Sequence, residues 1–420
     1  MRKFLYLTAL SSILHFSAPI TAKAQLEMDF DAFFHHVLAN NIELIIEQYE
    51  VTAAEAALLA SRVFEDPELE LIFPTFDKDE FSGFPSNIAF EMEIPVDIFG
   101  KRRNRVRQAR AEKYAAQAGL ENFLRYLRAD AANTFIEAIT LQLVLERKQL
   151  TLEQLNQLTE LNLALYEAGE IGEIDVLQTR LEARNFEAEL FDVQSDYSEL
   201  MGDVYFLMGG IPTDSIIFKG NVSLSQPVVS YDELLKRAKE NRPDIIMAQR
   251  YVEASRYAMR EARADRFPDI SLIAGYHNEH ALSPSPGFRA AYGGLIIPLK
   301  FSGINPGAFR ETRAYAEQAD YLLDAAHLQL ESEVKTAWKI FLLLSQKRML
   351  FTESILEDAE RVRDAISFSY QRGEVSLLEV LDAQRTMNEV YMNYYETLND
   401  YARSVVNLSA VAGEWFVVFE

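Results

Sequence analysis

The sequence predicts a mainly α-helical protein with a small β part, built from two copies of a long-helix coiled-coil unit, each carrying a β-hairpin. Three observations lead there. The first is internal repetition. YEAGEIGEIDVLQTR, starting at Tyr166, returns as YQRGEVSLLEVLDAQ at Tyr370, and EIPVDIFG (Glu93 to Gly100) returns as IIPLKFSG (Ile296 to Gly303). EDPELELI (Glu65 to Ile72) returns as RFPDISLI (Arg266 to Ile273), and NNIEL (Asn40 to Leu44) as NRPDI (Asn241 to Ile245). An offset of about 200 residues kept along a whole half-chain marks a duplication, with a unit too long for a short solenoid repeat. The second is a stretch from Lys101 to Ala168 with no proline and Gly119 as its one glycine. Its apolar residues recur every three or four positions, the spacing of a packed helical seam. The third is strict alternation in NIAFEMEI (Asn87 to Ile94), with Ile88, Phe90, Met92 and Ile94 on one face and Ala89, Glu91 and Glu93 on the other. A period of two with acids on one face suits a strand between lipid and water, although a half-buried soluble hairpin would share the pattern taken singly.

Taken in order, residues 1–24 read as a secretory signal. Arg2 and Lys3 precede the apolar run FLYLTALSSILHF, and Ala22-Lys23-Ala24 supplies the cleavage site. The first repeat is expected over 25–220: a helix ending near Pro67, strands at about 68–74 and 87–95, a long helix 101–168 and a helix 173–208. The second, over 221–420, repeats this with strands at about 269–277 and 289–299, a long helix 305–370 and a helix 376–411. Asn305-Pro306 reads as an N-cap followed by proline at the first helical position. Helices of this length, roughly 100 Å at 1.5 Å per residue, indicate coiled-coil packing rather than a compact domain.

Composition excludes several classes. The chain has 64 acidic and 41 basic residues and a formal net charge of −23, which argues against a nucleic-acid partner. It contains no cysteine, so disulfides, thiol chemistry and a lipid-modified N-terminal cysteine are all ruled out. Beyond the signal there is no apolar run long enough for a transmembrane helix, so any spanning element must be β. Two hairpins supply four strands, and a membrane barrel needs about eight or more with no open edge. Several chains must therefore share one barrel, which points to a symmetric oligomer.

The layout and motifs resemble the TolC family of outer-membrane efflux channels over essentially the whole chain. FGKRRNRVRQAR (Phe99 to Arg110), RPDI, FPDISLIAGY and IPLKFSGINPGAFRETRA are similar in particular to its heavy-metal (cobalt–zinc–cadmium) resistance branch. The resemblance implies a homotrimer with a shared 12-stranded outer-membrane barrel and a periplasmic α-helical tunnel. It also implies a passive duct, without enzymatic activity or cofactor, opened by a periplasmic adaptor protein and an inner-membrane pump. Heavy-metal cations would be the cargo, with multidrug efflux or type I secretion as alternatives. A periplasmic coiled-coil adaptor is the non-channel alternative, disfavoured by the two hairpin-bearing copies.

By the same resemblance, the two helical turns, Gly169-Glu170-Ile171-Gly172 and Gly373-Glu374-Val375-Ser376, are the tips that meet the adaptor. Glycine after a helix supplies the left-handed residue that stops it. Glu379 and Asp382, one turn apart on one face, match the family's pore-facing acids. Ser376-Leu377-Leu378-Glu379 also reads as a capping box, so Asp382 is the favoured gate acid. Asp175 and Gln178 are the first-copy counterparts, and Asp175 with Tyr370 matches the family's latch; a basic partner would fall at Val375, which cannot serve, so the latch is either weaker here or uses Arg372 instead. Lys101, Arg102, Arg103 and Arg105, followed by Arg107 and Arg110, crowd the first turns of a helix, where the macrodipole disfavours cations. Lipid phosphates at the membrane face or acidic neighbours are the two candidates to hold them. His277 and His280 have H-x-x-H spacing, and His35, His36 and His327 lie elsewhere; no third ligand is evident and no metal site is expected.

Overall fold

The structure is a computed structural model that describes residues 25–73, 88–212, 215–222, 224, 230–279, 288–301 and 306–419. The signal segment, most of both hairpin loops, His280 and Asn305 lie outside the described residues.

The chain begins with β1 (Gln25–Met28), α1 (Phe30–Asn40) and α2 (Ile42–Ser61). The single helix expected up to Pro67 is broken at Asn41, whose side-chain oxygen accepts from Leu44 N–H at 2.9 Å and starts α2. β2 (Glu68–Ile72) and β3 (Ile88–Val96) lead into α3 (Lys101–Glu167) and α4 (Glu173–Leu207). The second half runs β4 (Ser215–Phe218), α5 (Tyr231–Asn241), α6 (Pro243–Ala264), β5 (Ile270–Glu279), β6 (Phe288–Ile296), α7 (Gly307–Leu350), α8 (Leu356–Gln371) and α9 (Leu377–Ala412). The second long helix is not continuous. A π-helical turn, Phe351–Ile355, separates α7 from α8, and no proline or glycine in FTESI announces it. Pro306 occupies the N-cap position of α7 rather than its first helical position.

The two hairpins form one four-stranded antiparallel sheet in the order β2-β3-β5-β6. The register puts Leu71, Phe90, Tyr276 and Ala291 in one row and Leu69, Met92, Ala274 and Gly293 in the next. Leu69, Leu71, Phe90, Met92 and Ile94 are exposed apolar residues on this face. The opposite face carries Glu68 directly across from Glu93, and Glu70 across from Glu91. There Tyr292 reaches over Gly275 and donates its hydroxyl to Glu91 Oε2 at 2.6 Å. A Cβ at position 275 would lie 2.4 Å from the Tyr292 ring, so this crossing requires glycine. Pro95 sits beyond the end of β2, where β3 has no neighbour on that side to receive an N–H. Among the described residues, the outer edges of β2 and β6 are unpaired.

Below the sheet, α3 packs on α6 and α2 along its upper half and on α4 and α9 lower down. Alanines at 109, 111, 115, 118, 131, 132 and 138 are buried on α3 and let its neighbours approach closely. A second sheet, the parallel pair β1 and β4, was not anticipated from the sequence. It lies beside the main core, where Phe33, Phe135, Val204, Leu330, Phe341 and Tyr401 are all but fully buried.

The duplication persists in the joints. Gly209 (φ 72) follows α4 and Gly413 (φ 70) follows α9, both left-handed. A Cβ on Gly209 would come within 2.1 Å of the Asn40 carbonyl oxygen, and one on Gly413 within 3.1 Å of Arg242 Cγ. Each long helix thus ends on the break between the two short helices of its own half. In the first half, Asn41 Nδ2 donates to Leu207 O at 3.0 Å. In the second, Arg242, 1% exposed, reaches Glu333 with Nη1 at 2.6 Å and Asp244 with Nε at 3.0 Å. Burial alone would raise the Asp244 carboxyl, but the hydrogen bond and charge of Arg242 outweigh it and hold it below its usual range.

Candidate functional site: the helical tips

The tips are built by identical backbone devices. After α3, Gly169 takes φ 79, its N–H bonds Tyr166 O at 2.9 Å, and Glu170 N–H bonds Leu165 O at 2.9 Å. After α8, Gly373 takes φ 70, with Gly373 N–H to Tyr370 O at 2.9 Å and Glu374 N–H to Ser369 O at 3.0 Å. Both are Schellman stops, which satisfy the last carbonyls of a helix without further residues. The two tips lie side by side. Glu170, Ile171 and Asp175 of the first and Gly373, Val375 and Ser376 of the second line one cavity of about 390 Å³, together with Tyr370. Ile171 and Val375 are half-buried, whereas Glu170, Gly172, Glu374 and Ser376 are exposed.

The expected gate residues fall into two groups. Gln178 of α4 and Glu379 and Asp382 of α9 share one groove with Glu182 and Arg385. Within it, Gln178 and Asp382 are exposed. Glu379 is engaged: its Oε2 accepts from Ser376 N–H at 2.7 Å and from the Ser376 hydroxyl at 2.9 Å. Those bonds, the backbone one first, hold its carboxyl below the usual range. Asp175 and Tyr370 belong to the other cavity. The Tyr370 hydroxyl donates to Asn162 Oδ1 at 2.8 Å and not to Asp175. Burial, then the nearby Asp175 carboxylate, push the phenol up. Arg372 does not join this pair; its Nε is 3.0 Å from Glu374.

Sequence reading missed what ties the hairpins together. Arg385 of α9 makes a bidentate pair with Glu182 of α4, one bond from Nε at 2.7 Å and the other from Nη2. Gln384 Nε2 donates to Gln154 Oε1 at 3.3 Å. A small apolar cluster of Leu155, Ala183, Phe186, Leu377 and Leu381, separate from the main core, fills the seam. Lys148, nearly buried, bridges α3 to α4 through Glu189 Oε2 at 2.8 Å and lies over the Phe186 ring.

The basic cluster is resolved residue by residue. Asp97 accepts from the N–H groups of Lys101 and Arg102 at 2.9 and 3.0 Å, placing an acid at the start of α3 as the macrodipole favours. Lys101 Nζ lies 2.6 Å from Asp269 and 3.3 Å from Asp265. Burial would lower its ammonium, but these two acids outweigh that and raise it. Arg102 Nε donates to the Arg62 carbonyl at 2.9 Å and stacks on Phe64. Arg105 lies close enough to Glu261 to influence its charge. Arg103 is exposed.

Residues 82–210 and 234–414 match the family model described as "Outer membrane efflux protein". The cobalt-zinc-cadmium resistance protein CzcC of Cupriavidus metallidurans is 22% identical over 403 residues, 94% of this chain and 91% of that protein. The solvent efflux pump outer membrane protein SrpC of Pseudomonas putida is 26% identical, covering 91% of this chain and 82% of SrpC. The solved structure of CusC superposes with a TM-score of 0.76 at 18% identity, covering 92% of both chains. That of VceC from Vibrio cholerae gives 0.74 at 19% identity, covering 92% of this chain and 96% of VceC. The protein has the TolC-like fold, and the chain belongs to the outer membrane efflux protein family.

Proposed function

We propose that this chain is the outer-membrane exit duct of a tripartite pump, a homotrimer that passes heavy-metal cations outward and catalyses no reaction. The carrying observation is the four-stranded sheet with an exposed apolar face, an acidic opposite face and two open edges. Open edges invite pairing with another chain. Joining β2 of one copy to β6 of the next closes a barrel of twelve strands, in which β3, β5 and β6, at nine or ten residues each, are long enough to cross a bilayer. The 67-residue α3 then continues the barrel as a periplasmic tunnel. At its far end the exposed tips meet a helical hairpin of the adaptor, and Asp382 rings the narrow opening with Gln178 below Glu182 and Arg385.

Metal cargo is favoured by the acids facing the barrel interior, Glu68, Glu70, Glu91 and Glu93. Like charges directly opposite each other are unfavourable in a sheet unless counter-ions or water screen them. The likeness to a cobalt-zinc-cadmium resistance protein points the same way, whereas the likeness to a solvent efflux protein supports an organic cargo. Conductance in planar bilayers tests the duct: discrete channels from a purified trimer support it, and a non-conducting monomer refutes it. A deletion strain tests the cargo. Sensitivity to zinc, cobalt or cadmium alone supports metal export; sensitivity to detergents, dyes and solvents with normal metal tolerance refutes it.

A further inference from the structure

We propose that Arg103, Arg107 and Arg110 form a phosphate-binding stripe that docks each copy on the anionic headgroups of the membrane's periplasmic face. This rests on the reading that the four-stranded sheet spans the membrane.

The first observation is a division of labour among neighbouring cations. Lys101 and Arg102 turn toward Asp265 and Asp269 and the Arg62 carbonyl, and Arg105 lines one cavity with Glu261, Asp265 and Asp269. Arg103, Arg107 and Arg110 are all exposed, and among the described residues none has a carboxylate partner. Their spacing of four and three puts them on one face of α3. In a chain with 64 acidic and 41 basic residues, three adjacent guanidinia on one helix face without a carboxylate partner make a local cationic stripe open to an external anion.

Direction supplies the second observation. A helical side chain leans toward the helix N-terminus. The N-terminus of α3 is its sheet end, so these arginines lean toward the membrane. Arg103 shows it: its guanidinium folds back over Gly100, where an added Cβ would lie 3.5 Å from Nε. Arg107 lies 5.7 Å from the ring centre of Tyr257, and Arg260 of α6 lies 5.2 Å from the same ring. Two guanidinia thus flank one tyrosine.

The third is what surrounds them. Phe64, Ile98, Phe99, Phe267, Leu299 and Phe301 are exposed between the sheet and the helices. Phe99 and Phe267 stack at 4.6 Å. An apolar and aromatic collar at the end of spanning strands marks the interface depth. Arginines within the following two or three turns lie about 3 to 14 Å beyond it along the helix. Guanidinium forks bind phosphate oxygens bidentately, and charge complementarity selects anionic over zwitterionic lipid.

The test uses purified full-length channel in neutral detergent, titrated with short-chain phosphatidylglycerol or phosphatidylcholine and followed by native mass spectrometry. Wild type should bind phosphatidylglycerol preferentially. Each arginine at an anionic surface contributes about fivefold, so Arg103→Gln/Arg107→Gln/Arg110→Gln should lose roughly a hundredfold in phosphatidylglycerol affinity. Its phosphatidylcholine binding and its conductance in neutral bilayers should be unchanged. Equal phosphatidylglycerol binding by wild type and variant overturns the proposal. So does a variant that falls apart into monomers, which would assign the stripe to the acidic surface of a neighbouring copy. A wild type that neither inserts nor conducts defeats the membrane reading itself, a result distinct from loss of lipid preference alone.

Discussion

Reversing Arg385 to glutamate should loosen the tip. The α8–α9 hairpin is held to α3 and α4 near the tips by few links: the Glu182–Arg385 pair, Tyr370 to Asn162, Gln384 to Gln154, and one small apolar cluster. On the proposed duct reading, opening the tip parts this hairpin from its neighbours and breaks the ion pair. The Arg385 side chain is 60% exposed and that of Glu182 14%, so solvent screens part of the attraction. An exposed pair contributes at most about 1 kcal/mol, and the bidentate geometry places this one near that upper end. In the proposed homotrimer, three symmetric copies would lose about 3 kcal/mol together, a shift of roughly a hundredfold in the ratio of open to closed tips. Arg385→Glu should therefore raise the open fraction in single-channel recordings, and Glu182→Arg alone should do the same. The doubly reversed protein, with the charges exchanged, should return to wild-type behaviour. If each single reversal opens the channel and the exchange fails to restore closure, the pair is not the clasp and the charges act independently.

Three further outcomes follow from the same geometry. Asp382→Ala should weaken block of the conductance by divalent cations, whereas Glu379→Ala should chiefly weaken the start of α9, read as a lower thermal midpoint; unchanged block in the Asp382 variant removes it from the gate. Arg242→Met should cost about 3 to 5 kcal/mol, because it leaves the Asp244 and Glu333 carboxylates without their partner at a site where the arginine is 1% exposed. The Asp244 contribution is present above the usual carboxylate pKa and is lost as pH falls through its depressed folded value, so the difference between wild type and variant should shrink in acid. Asp130→Asn should raise the thermal midpoint at neutral pH. Crowding by neighbouring protein, then Asp203 and Glu43, raise the Asp130 carboxyl although it keeps contact with solvent, so its charged form opposes folding modestly and the gain should shrink as pH falls through that raised value; an Asn variant less stable than wild type at pH 7 would show that the carboxylate is satisfied.

Local chemistry made much of the fold legible. Alternation in β3, the proline-free run of α3 and the glycines after α3 and α8 each specify an element within a few residues of themselves. What stayed hidden depends on contacts between distant residues. The pairing of β3 with β5, Met92 opposite Ala274, joins the two halves in one sheet and leaves no mark in either strand alone. The parallel pair β1 and β4 is four residues long on each side, too short for periodicity to register. Arg242 was read only as part of a resembling motif, since an arginine is presumed exposed until its carboxylates are located. At the tips, the resemblance placed Tyr370 against Asp175. The structure gives its hydroxyl to Asn162, a fully buried residue on α3 whose importance no local pattern announces.

The two copies have also diverged in a direction that bears on opening. α3 is an uninterrupted helix of 67 residues, anchored near the sheet by Asp97 and Lys101 and clamped to α4 through Lys148. Its counterpart is jointed: α7 ends at Leu350, the π turn intervenes, and α8 carries the second tip. π turns weaken the regular ladder of a helix and are common where helices bend. At this joint the Thr352 hydroxyl bonds back to Arg348 O at 2.8 Å, and Phe351 meets Tyr394 of α9, so the π turn is packed rather than loose. Below it, α8 has no fully buried residue. The contrast assigns different mechanical roles to otherwise equivalent hairpins. On the proposed duct reading, the first copy would serve as a stiff stave, and the second, jointed above and held below by the Glu182–Arg385 pair, would be the part to move on opening. Its tip carries Glu379 and Asp382 where the first copy has Asp175 and Gln178, so the two hairpins present different acids at equivalent positions.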